Sequence, residues 1–249
     1  MRTTIIGLLL AMATGAFAQI GEHRNELAVG VNGGYVLSNV KFVPTVSQGL
    51  HGGVTGGLSV RYTCEKYFKS ICAIVAEVNY ASIGWKQDIL DQYDEAVVNS
   101  ATGETEQYSR TINYLQIPFM ARLGWGRERK GFQAFFQIGP QFGLYLSEST
   151  SINYDPNYRN LNDRINQEYN QESMAVENKF DYGIAGGLGL EFSRPGLGHF
   201  IIEGRYYYGL GNIYGDSKLD HFSRSNFNNI VIKATYLFDL IKTKNDKIK

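Results

Sequence analysis

Eight segments of the chain alternate apolar or aromatic residues with polar or small ones, and each ends in a polar break. They lie near 26–37, 52–62, 72–84, 110–123, 132–146, 179–192, 199–209 and 226–238. A period of two is the strand period, which sends successive side chains to opposite faces of a sheet. In the fifth segment Ala134, Phe136, Ile138, Phe142 and Leu144 share one parity, while Gln133, Gln137 and Gln141 share the other. In the eighth, Ile230, Ile232, Ala234, Tyr236 and Phe238 face one way, and Lys233 and Thr235 the other. Each segment is long enough to cross a bilayer as a tilted strand, which takes about 9–11 residues.

The breaks alternate in length. Those at 38–51, 85–109, 147–178 and 210–225 are long, and those at 63–71, 124–131 and 193–198 are short. Alternating short and long connections between dyad-patterned strands are the signature of an outer-membrane barrel, with the short turns on the periplasmic side. The expected fold is all-β: an eight-stranded antiparallel transmembrane β-barrel over 26–238, both termini periplasmic and the long loops outward. A soluble β-sandwich also uses short alternating strands, but it gives no reason for the asymmetry of the loops. The break at 147–178, rich in Asn, Asp, Glu and Tyr, shows no sustained alternation and reads as a mobile loop.

Composition sharpens this reading. Tyr (17), Phe (14) and Gly (28) are abundant and Pro is scarce (5), which suits interfacial aromatic girdles and tightly curved strands. Residues 1–18 read as a signal peptide: Arg2, an apolar run from Ile5 to Ala13, and the small-x-small site Ala16-Phe17-Ala18. That leaves 19–25 as a lead into the barrel and 239–249 as a basic tail carrying Lys242, Lys244, Lys247 and Lys249.

The formal net charge of zero conceals a polarity. Loop 86–109 carries Asp88, Asp91, Asp94, Glu95, Glu104 and Glu106 against Lys86, and loop 147–178 opposes its acids with Arg159 and Arg164. The short turns are basic, with Lys66, Lys69, Arg127, Arg129, Lys130 and Arg194. Acidic outer loops can draw cations or basic partners; equally, they can be solvated loops held open by self-repulsion.

Extending the inward parity through every strand predicts a lumen containing Arg61, Glu77, Arg122, Asp181, Glu191, Glu203, Arg205 and Lys233. Asn32, Thr55, Ser59, Asn79, Gln116, Gln137 and Gln141 fall on the same face. Four acids and four bases inside a narrow barrel are tolerable only if they pair. An eight-stranded interior is just wide enough to fill with side chains, so a polar plug is expected and a large open pore is not. Gly30, Gly34, Gly183, Gly187 and Gly189 share the inward parity, either leaving space for long arginines or marking bends. Cys64 and Cys72 flank the first short turn, where an oxidising compartment favours a disulfide over two free thiols.

Catalytic chemistry finds little support. Of His23, His51, His199 and His221, the last has the best surroundings, with Asp216, Asp220 and Ser223 nearby on one loop. A hydrolytic triad needs acid, base and nucleophile in mutual reach, which neighbours on one loop rarely achieve. No metal motif, phosphate loop or dinucleotide fingerprint is present, so neither cofactor nor metal is expected.

Four phrases resemble the PorT-like outer-membrane β-barrel family of the Bacteroidota. They are Tyr114-Leu115-Gln116-Ile117-Pro118-Phe119, Gly139-Pro140-Gln141-Phe142-Gly143, the segment Phe180 to Phe192, and Tyr206-Tyr207-Tyr208-Gly209-Leu210-Gly211-Asn212-Ile213. The resemblance implies a small outer-membrane barrel and, by analogy with the name-giving member, a link to type IX protein secretion. Barrels of this kind commonly end on an aromatic residue; Phe238 stands in that place, but a polar tail follows. The expected protein is a non-enzymatic barrel, monomeric, held by outer-membrane lipids and meeting surface or periplasmic proteins rather than nucleic acid. A secretion accessory, a small-solute porin and a lipid-modifying enzyme are the alternatives.

Overall fold

A computed structural model describes residues 21–99, 101–155, 157, 160, 174–215, 217 and 220–243. The expected leader 1–18, Arg159, Arg164, Asp216 and tail residues 244–249 lie outside the described residues. Among the described residues nine strands follow in chain order: β1 (Glu22–Val43), β2 (Gln48–Gly49), β3 (His51–Tyr67), β4 (Ser70–Asp88), β5 (Gln107–Gly126), β6 (Gly131–Ile152), β7 (Phe180–Arg194), β8 (Gly198–Gly209) and β9 (Arg224–Ile241). All but β2 form one antiparallel ring in the order β4-β3-β1-β9-β8-β7-β6-β5, with β5 returning to β4. The two-residue β2 only caps the outer end of β4.

The seam between first and last strands is as complete as any other, running from Leu27↔Ile241 to Val43↔Arg224. Closure leaves no barrel strand with an unpaired edge, which a bilayer demands because hydrocarbon offers no hydrogen bonds. The expected strands are all present, but longer at their ends. The break expected at 63–71 shrinks to Phe68 and Lys69, and 147–152 of the expected mobile loop continue β6. Backbone pairing persists beyond the bilayer, where the polarity of side chains no longer reports it.

Outward residues form an apolar band, including Val54, Leu58, Ile74, Phe136, Ile138, Leu188, Leu190 and Ile202. Aromatic rings edge it at both levels. Phe132 and Phe192 lie 5.0 Å apart between centroids, and Phe200 and Tyr236 4.9 Å apart, near the short turns. Phe142, Phe180 and Tyr182 stack toward the long loops. Such paired girdles are where amphipathic rings meet the headgroups. No helix among the described residues is long and apolar enough to cross a membrane; strands make the crossing.

Inside, the filling changes character with height. Polar and charged side chains occupy the middle and the short-turn end. Toward the long loops the inward positions are aromatic and aliphatic: Phe42, Ile83, Trp85, Tyr108, Ile112, Tyr114 and Phe227 are all buried. Phe42 lies 4.6 Å from Phe222 and 5.5 Å from Trp85, while Tyr214 stacks on Phe222 at 5.8 Å. Loop residues Val97, Tyr154, Val176 and Ile213 join this cluster. The long loops are therefore partly folded over the barrel by their own apolar residues.

Candidate functional site

The middle of the lumen is braced from wall to wall. Glu77 on β4 and Arg205 on β8 stand four places apart in the eight-stranded ring, on opposite walls. Both guanidinium nitrogens Nη1 and Nη2 donate to the Glu77 carboxylate at 3.0 Å. Arg205 Nε donates to Glu203 at 2.8 Å, and Lys233 donates to Glu77 and lies 3.4 Å from Glu203. Two acids thus meet two bases. Asn79 donates to Glu77 at 2.8 Å and Gln137 to Glu203 at 2.6 Å, satisfying lone pairs that burial would otherwise strand. Asn32 extends the network to Ser59 and Asn79, at 2.8 Å each.

A second brace lies nearer the short turns. Arg61 on β3 crosses to Glu191 on β7, again four places away, at 2.7 and 2.8 Å. Arg122 donates to the same carboxylate and to Gln133 at 3.2 Å, with its guanidinium 3.6 Å above the Phe135 ring. The ring fits only because position 189 is glycine: a Cβ there would stand 2.3 Å from Phe135 Cζ. His199 completes the level, with Nδ1 2.6 Å from Glu191 and Nε2 2.8 Å from Asp239.

Of the eight lumen charges expected from parity, all are inward and buried, and seven stand in these two braces. Asp181 does not join them. It accepts a hydrogen bond from Tyr207 at 2.6 Å, above the middle brace and against the aromatic layer. Sequence reasoning missed His199 and Ser193 as network members, although both extend the inward parity. It also missed the closure of the short-turn end, where no periodicity operates.

That end is crossed by the turn between β5 and β6. Glu128, at the tip, keeps only 5% of its side chain exposed. It accepts from Arg24 Nε on β1 at 2.7 Å and from Lys66 on β3 at 2.5 Å. Arg129 donates to Glu26 at 2.6 Å and to the Thr243 carbonyl at 2.5 Å. Burial pushes the Glu128 carboxyl up, but the hydrogen bonds from Arg24 and Lys66 outweigh it and hold the group below the usual carboxylate range. The turns expected to be a basic surface are thus partly neutralised: Lys66 and Arg129 are spent on internal acids.

The expected cysteine pair is not formed. Cys64 and Cys72 are free thiols. The register shifts between Thr63 and Glu65, so that Cys72 faces Glu65 and Cys64 is the bulged residue.

Two histidine clusters invite a catalytic reading, and in the lower one the geometry speaks against it. In the lower brace Ser193 Oγ lies 2.8 Å from His199 Nδ1, with Asp239 on the far nitrogen, in the outline of a triad. Yet the Glu191 and Asp239 carboxylates lie against the two ring nitrogens, so neither nitrogen is turned toward a substrate. Ser193 is moreover buried, with its hydroxyl 3.0 Å from Glu191. In the outer loop Ser223 donates to the Val43 carbonyl at 3.3 Å, Asp220 accepts from the Ser217 amide at 2.8 Å, and His221 packs on Phe222. No cluster of metal-ligating residues occurs among the described residues.

A closed ring with a lipid-facing apolar band, aromatic girdles and short turns at one end defines a transmembrane β-barrel of the outer-membrane type. The family model of the outer membrane protein beta-barrel domain matches residues 17–215, and the chain belongs to that family. It is accordingly an outer-membrane protein. No curated protein matches it. Solved structures similar to it include Ail, the attachment invasion locus protein of Yersinia pestis, in complex with the heparin analogue sucrose octasulfate. That match has 14% identity over 86% of this chain and 99% of that one, with a TM-score of 0.35. OprG from Pseudomonas aeruginosa matches at 12% identity over 88% and 98%, TM-score 0.39. Neisserial surface protein A matches at 11% over 87% and 100%, TM-score 0.40.

Proposed function

We propose that this barrel is a non-enzymatic, non-conducting membrane anchor that acts through its surfaces, presenting its long outer loops to surface partners. The carrying observation is the filled interior. Two wall-to-wall braces, Glu77–Arg205 and Arg61–Glu191, lie below a layer of buried aromatic rings. A solute passage would have to break paired charges that no water replaces cheaply. Outer-membrane lipids hold a single barrel, since every strand edge is already paired within the chain. Planar-bilayer recording tests this: purified barrel should add no discrete current steps, and reproducible steps abolished by removing the protein would refute it.

A second reading, a PorT-like accessory of type IX secretion, rests on the resemblance in the second half of the chain. Lys69, Arg127, Lys130 and Arg194 also leave basic groups on the periplasmic rim. Cargo trapped in the periplasm of a deletion strain, and released on re-expression, would establish that reading; normal secretion would remove it. The lipid-modifying reading has no base available in the lower brace, and His221→Asn should leave any apparent turnover unchanged.

A further inference from the structure

Hairpin tips on a barrel rim normally point into solvent, yet the β5–β6 turn folds inward across the mouth. Its contacts lie on β1, on β3 and just past β9, two to three strands around the ring from the nearer of its own. Glycines stand at both ends of it. Gly126 has φ +136° and Gly131 φ +122°, conformations that residues with a Cβ rarely adopt. A Cβ on Gly126 would also meet the Phe132 carbonyl at 2.4 Å. Between them, Arg127 to Lys130 form a four-residue strap bent at two permissive joints.

Beneath the strap lies a cavity of about 20 Å³. Thr63, Arg61, Arg122, Gln133 and His199 border it from inside the barrel, and Glu128 is part of the outer side. Arg61 Nε is buried there without a hydrogen-bond partner. With the strap lifted, Arg24, Lys66, Arg61, Arg122 and His199 would face the periplasm against Glu22, Glu26, Glu191 and Asp239. Two of those bases, Arg24 and Lys66, would lose the carboxylate they now share.

We infer that the β5–β6 turn is an electrostatically latched strap in which Glu128 occupies, from within the chain, a carboxylate-binding site at the periplasmic mouth. The occupant states the chemistry: Arg24 and Lys66 converge on one carboxylate, and an acidic peptide segment carries the same group. While the strap is closed the site is filled by a tethered competitor, whose short linkage gives it an effective concentration of about millimolar order. An acidic segment with several carboxylates could displace it, and the glycine joints let the turn swing away without breaking the strands.

The test uses full-length mature protein refolded in detergent, with Cys64→Ser and Cys72→Ser as background and Thr63→Cys as a reporter beneath the strap. A charged, membrane-impermeant thiol reagent should label the reporter slowly at low salt and faster as salt rises. In the unlatched Glu128→Ala/Arg129→Ala protein, labelling should be at least about tenfold faster at low salt, equivalent to about 1.4 kcal/mol of closure. A fluorescent oligoglutamate peptide should bind the unlatched protein more tightly than the latched one, and adding Arg24→Gln should abolish that gain. Heat-modifiability on gels establishes that each variant is folded; if Glu128→Ala/Arg129→Ala fails to fold, Glu128→Gln alone serves as the unlatching change. Equal labelling in latched and unlatched proteins would overturn the strap. Faster labelling without tighter peptide binding would overturn the carboxylate site.

Discussion

Replacing Arg205 by methionine removes the charge at the centre of the lumen while keeping most of the volume of its stem. The wild-type guanidinium is buried, bonded twice to Glu77 across the barrel at 3.0 Å and twice to Glu203 at 2.8 and 3.3 Å. After substitution two buried acids share one base. Glu77 retains Lys233 and Asn79, but Glu203 depends on Gln137 and on Lys233 at 3.4 Å. Breaking a buried pair by removing one partner costs about 3–5 kcal/mol, chiefly because the other charge is left uncompensated. Arg205→Met should therefore lose about that much, and Arg205→Met/Glu203→Gln, which restores one acid to one base, should recover at least about 2 kcal/mol. Urea titration of barrel refolded in lipid, followed by gel mobility and tryptophan fluorescence, reads both values. A loss below about 1 kcal/mol, or a double variant no more stable than the single, would refute the brace as a source of stability.

Three further outcomes are expected. Trp85→Ala, at a position with no exposure in the aromatic layer, should cost about 3–5 kcal/mol and remove the most blue-shifted part of the emission, as measured by the same titration. Leu188→Arg on the lipid face should cost about 2–4 kcal/mol in bilayers, whereas a cost below about 1 kcal/mol would place that face outside the hydrocarbon. Glu128 is held below its usual 4.5 by Arg24 and Lys66, so its latch is fully present above that value and is lost as pH falls through the lower folded one. Labelling of the Thr63→Cys reporter, divided at each pH by that of the same reporter in the Glu128→Gln protein so that the thiolate fraction cancels, should accordingly stay flat near neutrality and rise only in acid.

Strand number, closure and the inward placement of Arg61, Glu77, Arg122, Glu191, Glu203, Arg205 and Lys233 were legible because one parity is polar where the other must meet lipid. That signal fades toward the long loops. In β4 the inward face continues from Glu77 and Asn79 into Ala81, Ile83 and Trp85 while the outward face passes to Ser82 and Lys86, so polarity stops identifying the lumen. The aromatic layer was therefore invisible to the reasoning that found the braces. Partner choice was equally hidden: Arg205 reaches Glu77 through the ring geometry, across 128 positions of chain. Asp181 carries the right parity but sits too high to meet a base. Glu128 and Cys64 lie where periodicity fails, one on a turn and the other at a bulge.

The braces also constrain how the protein is made. Arg61 and Glu191 are separated by 130 positions, and neither they nor Glu77 and Arg205 can meet until first and last strands have joined. Until that moment each charge needs water or a helper, because an unpaired ion on a half-formed sheet cannot enter hydrocarbon cheaply. The ring must accordingly close around a hydrated interior and expel that water last. Interactions that arrive after the rate-limiting step slow unfolding without hastening folding. The charged lumen is thus a lock that turns once assembly is over: it governs how long the finished barrel lasts and leaves its speed of insertion untouched.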